Sequence, residues 1–122
     1  MDYQYGTTLP PMVKFVKNLG RKQYTINFDF EKQTDGTFRW ATVTLAPGIW
    51  SYGSIIAAIV DSKYSPNELQ AINTNMLGVL AGCFDGFPAD KIDEYKLECR
   101  KLAQWREHAK KIAKEVLSYN LS

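Results

Sequence analysis

The chain has one histidine and two cysteines in 122 residues, and that scarcity excludes much familiar chemistry. No G-x-x-x-x-G-K-[ST], G-x-G-x-x-G, H-E-x-x-H or C-x-x-C pattern occurs, so phosphate cradles, dinucleotide sites and zinc or redox motifs of those spacings are not signalled. A lone His108 rules out a histidine-rich metal site, and a hydrolytic triad would depend on that one imidazole. Catalysis there would need an orienting carboxylate and a nucleophile held in a cleft, so a surface or boundary role is the expectation. Cys83 and Cys99 are too few for a disulfide scaffold and are expected as reduced core thiols. The longest apolar run, Ile55 to Val60, falls far short of a membrane span. The opening M-D-Y-Q-Y-G-T-T-L-P-P lacks the basic and apolar regions of a signal peptide, so a cytoplasmic protein is expected. Net charge is only +2, too small to imply a polyanion partner for the whole chain.

What is present is the composition of a folded domain. Apolar residues make up 45% and charged residues 23%, which places the chain among globular proteins rather than disordered ones. A single domain over residues 1–122 can bury about two thirds of its unfolded surface, enough for one core. Aromatics reach 13%, high for this size, and Trp40, Trp50 and Trp105 are expected to anchor one shared core.

The pattern along the chain predicts an α+β fold: an N-terminal antiparallel β-hairpin covered by about three helices, the last one long and amphipathic. Residues 1–10 are expected to be extended and loosely held. Pro10-Pro11 can open a short helix through Met12, Phe15, Val16 and Leu19 with Gly20 as its cap, a strand being the alternative. Residues 22–31 alternate, with Tyr24, Ile26, Phe28 and Phe30 on one side, as a half-buried strand requires. Asp35-Gly36 supplies the hairpin turn, and Thr37 to Ala46 returns. Such a hairpin is marginal alone and must be covered by helices or a partner. Ser51 or Ser54 caps a short helix carrying Ile55, Ile56 and Ile59. Ser65-Pro66-Asn67-Glu68 is a capping box opening a helix through Leu69, Ile72, Met76 and Leu80, with Gly78 weakening its end. The last helix, about Ala89 to Tyr119, lines up Tyr95, Leu102, Trp105, Ala109, Ile112, Ala113 and Val116 as its core face.

Charge is segregated. Residues 12–22 hold Lys14, Lys17, Arg21 and Lys22 without an acid, whereas residues 61–95 hold six acids against Lys63 and Lys91. Asp85, Asp90, Asp93 and Glu94 crowd the start of the last helix, where its dipole favours acids without any metal. Opposite that helix's core face, Lys96, Arg100, Lys110, Lys111 and Lys114 form a row about 27 Å long, interrupted by Glu107. The row could follow a phosphate backbone or an acidic protein face, or serve only as a solvated surface. No aromatic platform accompanies it, which argues against single-stranded nucleic acid. Trp50 and Tyr52, between Gly48 and Gly53, could form a protein contact, the alternative being that Trp50 folds back as core.

The run T-V-T-L-A-P-G-I-W-S-Y-G-S-I-I-A-A-I-V, with K-Y-S-P-N-E-L-Q-A-I-N-T-N and Q-W-R-E-H-A-K-K-I-A-K-E, resembles short hypothetical proteins of gut-bacterial prophage and mobile elements, over about residues 37–117. That resemblance implies a structural or accessory role and supplies no site residues. The expectation is a non-enzymatic protein-interaction component without metal, cofactor, small-molecule substrate or membrane. Its partner is another protein or a second copy. The alternative is a small nucleic-acid-binding accessory protein using the basic row, and an enzyme with an unfamiliar site is a third possibility.

Overall fold

The Asp35-Gly36 turn closes the hairpin at the centre of the molecule. In the computed structural model, which describes residues 1–119, β3 (Arg21–Lys32) and β4 (Phe38–Thr44) pair antiparallel on either side of it. Gly36 takes φ +88, which costs a residue without Cβ nothing. The Asp35 carboxylate accepts from the Thr37 N–H at 3.0 Å and from its hydroxyl at 2.6 Å.

The hairpin is not left two-stranded. β1 (Tyr3–Gly6) pairs with β4 and β2 (Val13–Asn18) with β3, giving an antiparallel sheet ordered β1-β4-β3-β2. Two expectations are corrected here. The opening residues supply an edge strand instead of hanging loose, and the stretch read first as a helix from Met12 to Leu19 is the alternative strand. Helical spacing misled because only Val13 of that stretch is buried; Phe15, Val16 and Leu19 are exposed. The unpaired backbone of β3 offers β2 a full ladder of hydrogen bonds, and that outweighs the spacing. Leu19 and Gly20 take φ +54 and +75, a two-residue turn whose twist matches the flanking strands. Gly20 therefore turns a hairpin and caps no helix.

Residues 7–12 carry the chain from one edge of the sheet to the other. Three strand spacings amount to about 14 Å, within the roughly 20 Å that six extended residues reach. Asn27, buried in β3, fastens this crossing: its side-chain amide donates to Pro11 O at 2.9 Å and its backbone N–H to Met12 O at 2.8 Å. Further along β3 the register slips between Phe28 and Glu31, with Asp29 at φ +54. This bulge takes Phe30 out of the alternation of Tyr24, Ile26 and Phe28 and leans it against Trp40, ring centroids 6.4 Å apart. Trp40 alternates with buried Ala41 and Val43 and so does not share the core with Trp105.

Three helices follow. Ser51 caps α1 (Tyr52–Lys63) by accepting from Ser54 N–H at 3.2 Å. The capping box opens α2 (Pro66–Leu80) as the sequence predicts, with Glu68 N–H donating to Ser65 Oγ at 3.1 Å. The long α3 spans Ala89–Leu117, two residues short of the expected Tyr119, with Ser118 as its C-cap. Helices α1 and α3 lay Ile55, Ile59, Trp105, Ile112 and Val116 over Ile26, Phe28 and Val43. Each such aliphatic side chain contributes about 2 kcal/mol by leaving water. Trp105 Nε1 donates to Ile59 O at 3.2 Å, which binds α3 to α1. Helix α2 packs on α3 and buries only Ile72; Met76 is half-buried and Leu80 exposed. The fold is α+β with a long last helix. No helix among the described residues is long and apolar enough to cross a membrane.

Candidate interaction surface

Two protrusions of this fold break local rules. The first is the β2–β3 tip. Leu19 is 91% exposed, in a left-handed conformation that costs a residue with Cβ about 1 kcal/mol. Asparagine suits that turn position on both counts, solvation and backbone. Beside it Val16 is 61% exposed and Phe15 stands at the rim under Lys22, whose Nζ lies 4.6 Å from the ring centroid. Lys14, Lys17 and Arg21 are exposed around them. The base of the tip is held by Gly48 N–H donating to Lys22 O at 2.8 Å.

The second protrusion is a helical arm. Beyond Ile72 in α2, and before Leu102 in α3, neither helix buries a residue. The arm is held by its own aromatics. Phe84 fills the space beside Gly78, where a Cβ would lie 2.5 Å from the ring, and packs against Phe87 and Tyr95 at centroid distances of 5.1 and 5.0 Å. Tyr95, expected on the core face of α3, thus belongs to this satellite cluster. Gly78 does not weaken α2 so much as make room for Phe84. Leu77 (66%) and Leu80 (73%) remain exposed, with Phe87 and Leu97 near half exposed. Asp85, Asp90, Asp93 and Glu94 lie on the same arm and are all exposed. Lys91 pairs with Glu94 at 3.4 Å, and the charge of Glu94 raises the lysine's pKa. Among the described residues no three His, Cys, Asp or Glu side chains group to hold a metal ion. Cys83 and Cys99 are free thiols; Cys83 is exposed on this arm and not in the core.

The row of α3 cations is divided by this arrangement. Lys96 and Arg100 lie on the arm, whereas Lys110, Lys111 and Lys114 lie along the half of α3 that covers the sheet. Lys110 donates to Glu107 at 2.9 Å, and that hydrogen bond and charge hold the Glu107 carboxyl below its usual range. Lys96, Arg100, Lys111 and Lys114 stand exposed with no ion pair among the described residues. Trp50 stacks on Tyr24 at 4.2 Å and is half-buried against the core, leaving Tyr52 as the exposed ring of the aromatic turn.

The orienting carboxylate that His108 lacked in sequence is Asp29, which the bulge turns toward α3 so that Oδ1 lies 2.7 Å from His108 Nε2. The pair borders a recess of about 210 Å³ with Lys111 and Glu115. The residues lining it include no serine, threonine or cysteine, and the pair ties β3 to α3.

Sequence reasoning missed Leu19, the apolar arm and Asp29. A Leu-Gly pair between two stretches of alternating character could have signalled the first, since a type I′ two-residue turn needs positive φ at both positions. Nothing local marks Asp29, whose partner lies 79 residues away. Comparisons with protein-family models, curated proteins and solved structures give no significant match, so the surface alone has to suggest the function.

Proposed function

We propose that this chain is a non-enzymatic protein-interaction component that works in the cytoplasm as an accessory to a structural or assembly process of a prophage or mobile element. The observation that carries the reading is Leu19: a large apolar side chain held almost fully in water, in a conformation and environment that both favour asparagine. Departures from local consistency of this kind concentrate at functional sites. The exposed Leu77, Leu80 and Phe87 of the arm support it, since clustered apolar groups with a polar surround are the usual form of a contact surface. The prophage setting rests on the resemblance of residues 37–117. The test is affinity capture from host extract with the wild type, Leu19→Asn, and Leu77→Ser with Leu80→Ser. A stoichiometric partner, a second copy included, held by the wild type and lost from a variant is the expected result. Identical capture by all three forms overturns the reading.

A second reading, binding of nucleic acid along α3, is favoured by the four exposed, unpaired cations Lys96, Arg100, Lys111 and Lys114 among the described residues. It requires binding to double-stranded DNA or RNA that falls steeply with salt and disappears in Lys110→Glu with Lys114→Glu. Salt-insensitive binding, or none at low salt, removes it.

A further inference from the structure

We propose that the helical arm of one copy docks on the β2–β3 tip of a second copy. The inference rests on the protein-interaction reading and names its partner.

The two protrusions complement one another in both respects that decide an interface. Each offers exposed apolar groups, Val16 and Leu19 on the tip and Leu77, Leu80 and Phe87 on the arm. Their charges differ in sign: Lys14, Lys17, Arg21 and Lys22 stand on the tip with no acid, whereas the outer end of the arm, residues 77–95, carries Asp85, Asp90, Asp93 and Glu94 against Lys91, with Lys96 and Arg100 following further along α3. Apolar contact supplies the affinity, and opposite rims steer and orient the encounter. Within one chain the two do not satisfy each other, since no ion pair among the described residues joins them.

Charge also decides against the simplest alternative. β2 is an edge strand and could pair with β2 of another copy, extending the sheet. Antiparallel self-pairing would gather Lys14 and Lys17 of both copies, with no acid, along one six-residue ladder, and lysines on an edge strand disfavour such pairing. An acidic partner surface relieves those lysines. The arm is the part of this molecule that carries one.

Arm-on-tip contact is heterologous: it closes into a dimer if both contacts form between the same two copies and otherwise propagates. Both arrangements respond alike to charge reversal. In the tip variant, Lys14→Glu with Lys17→Glu and Arg21→Glu, tip and arm are both acidic. In the arm variant, Asp90→Lys with Asp93→Lys, both are basic. Neither variant complements itself, but each complements the other.

The experiment is light-scattering mass of the full chain at rising concentration and low salt, with 260 nm absorbance recorded and circular dichroism as a check of folding. The wild type is expected above the mass of one chain, each variant alone weakened at least about tenfold in association, and an equimolar mixture of the two restored. Restoration also shows that both variants are folded. A wild-type monomer at every concentration overturns the proposal, as does assembly that survives both reversals, or a mixture that stays monomeric. Excess 260 nm signal that accounts for the mass overturns it in favour of a polyanion on the tip or on α3. Assembly that ignores charge reversal but is lost in Leu19→Asn rejects arm-on-tip docking and leaves the protein-interaction reading standing. That reading falls only when Leu19 and the arm leucines are inert in the capture experiment.

Discussion

Asp29 Oδ1 lies 2.7 Å from His108 Nε2, so a left-handed residue in a β-bulge fastens the sheet to the longest helix. Both side chains are about a third exposed, and an exposed pair of this kind is worth about 1 kcal/mol at most. His108→Ala should lower the unfolding free energy by about that amount. Asp29→Ala should cost more than Asp29→Gly, because glycine loses the contact but relieves about 1 kcal/mol of backbone strain. Urea denaturation of the three variants checks the order. Equal losses for alanine and glycine would show that the backbone at the bulge is unstrained.

Leu19→Asn should raise stability by about 0.5–1 kcal/mol, since the turn prefers asparagine and the leucine, at 91% exposed, gives up almost no packing. For a chain of this size the melting temperature should rise by a few degrees. A substitution that stabilises the single chain while weakening its association marks a residue retained for contact. A loss of stability would mean that the side chain supports the fold.

At Gly78 two effects compete. Alanine gains about 1 kcal/mol of helix propensity over glycine, but its Cβ would sit 2.5 Å from the Phe84 ring, and overpacking costs about 1–3 kcal/mol. The ring is wedged against Phe87 and Tyr95, so the clash should win. Gly78→Ala is expected to destabilise the arm and speed amide exchange in residues 77–95. Adding Phe84→Ala should remove the clash and let the helical gain appear. A stabilised single variant would mean that Phe84 swings aside freely.

The turn of the central hairpin predicts an acid dependence. Hydrogen bonds from the Thr37 hydroxyl and then the Thr37 N–H hold the Asp35 carboxyl below its ordinary value of 3.8. A carboxyl depressed by folding stabilises the native state above its unfolded pKa and loses that contribution as pH falls through the folded one. The Asp35 contribution should therefore persist from neutral pH to about 4 and vanish below it. Comparison of thermal stability for Asp35→Asn and wild type across pH 2–6 checks this: the gap should narrow on the acid side. A constant gap would exclude ionisation as the source.

Much of the fold was legible because the signals are local. Asp35-Gly36 places a turn, Ser65-Pro66-Asn67-Glu68 opens α2 where the capping box requires, and the stripe from Leu102 to Val116 is buried as its spacing demands. These follow from dihedral preference, capping hydrogen bonds and helical period, all of which act within a few residues. Segregation of charge along the chain was equally plain.

Only the tertiary structure decided the rest. Whether Met12 to Leu19 forms a helix or a strand turned on a vacant edge of β3, which no local spacing records. Leu80 has the spacing of a core residue yet stays exposed, because α2 packs on α3 beyond the reach of the sheet. Lys110 belongs to the basic row by sequence and is paired with Glu107 in space. Asp29 acquires a role only because a bulge turns it toward His108. Period and propensity determine which elements form and which of their faces is apolar; which of those faces find cover depends on how the elements stack. The faces left over, at the β2–β3 tip and on the arm, are the ones this stacking does not cover.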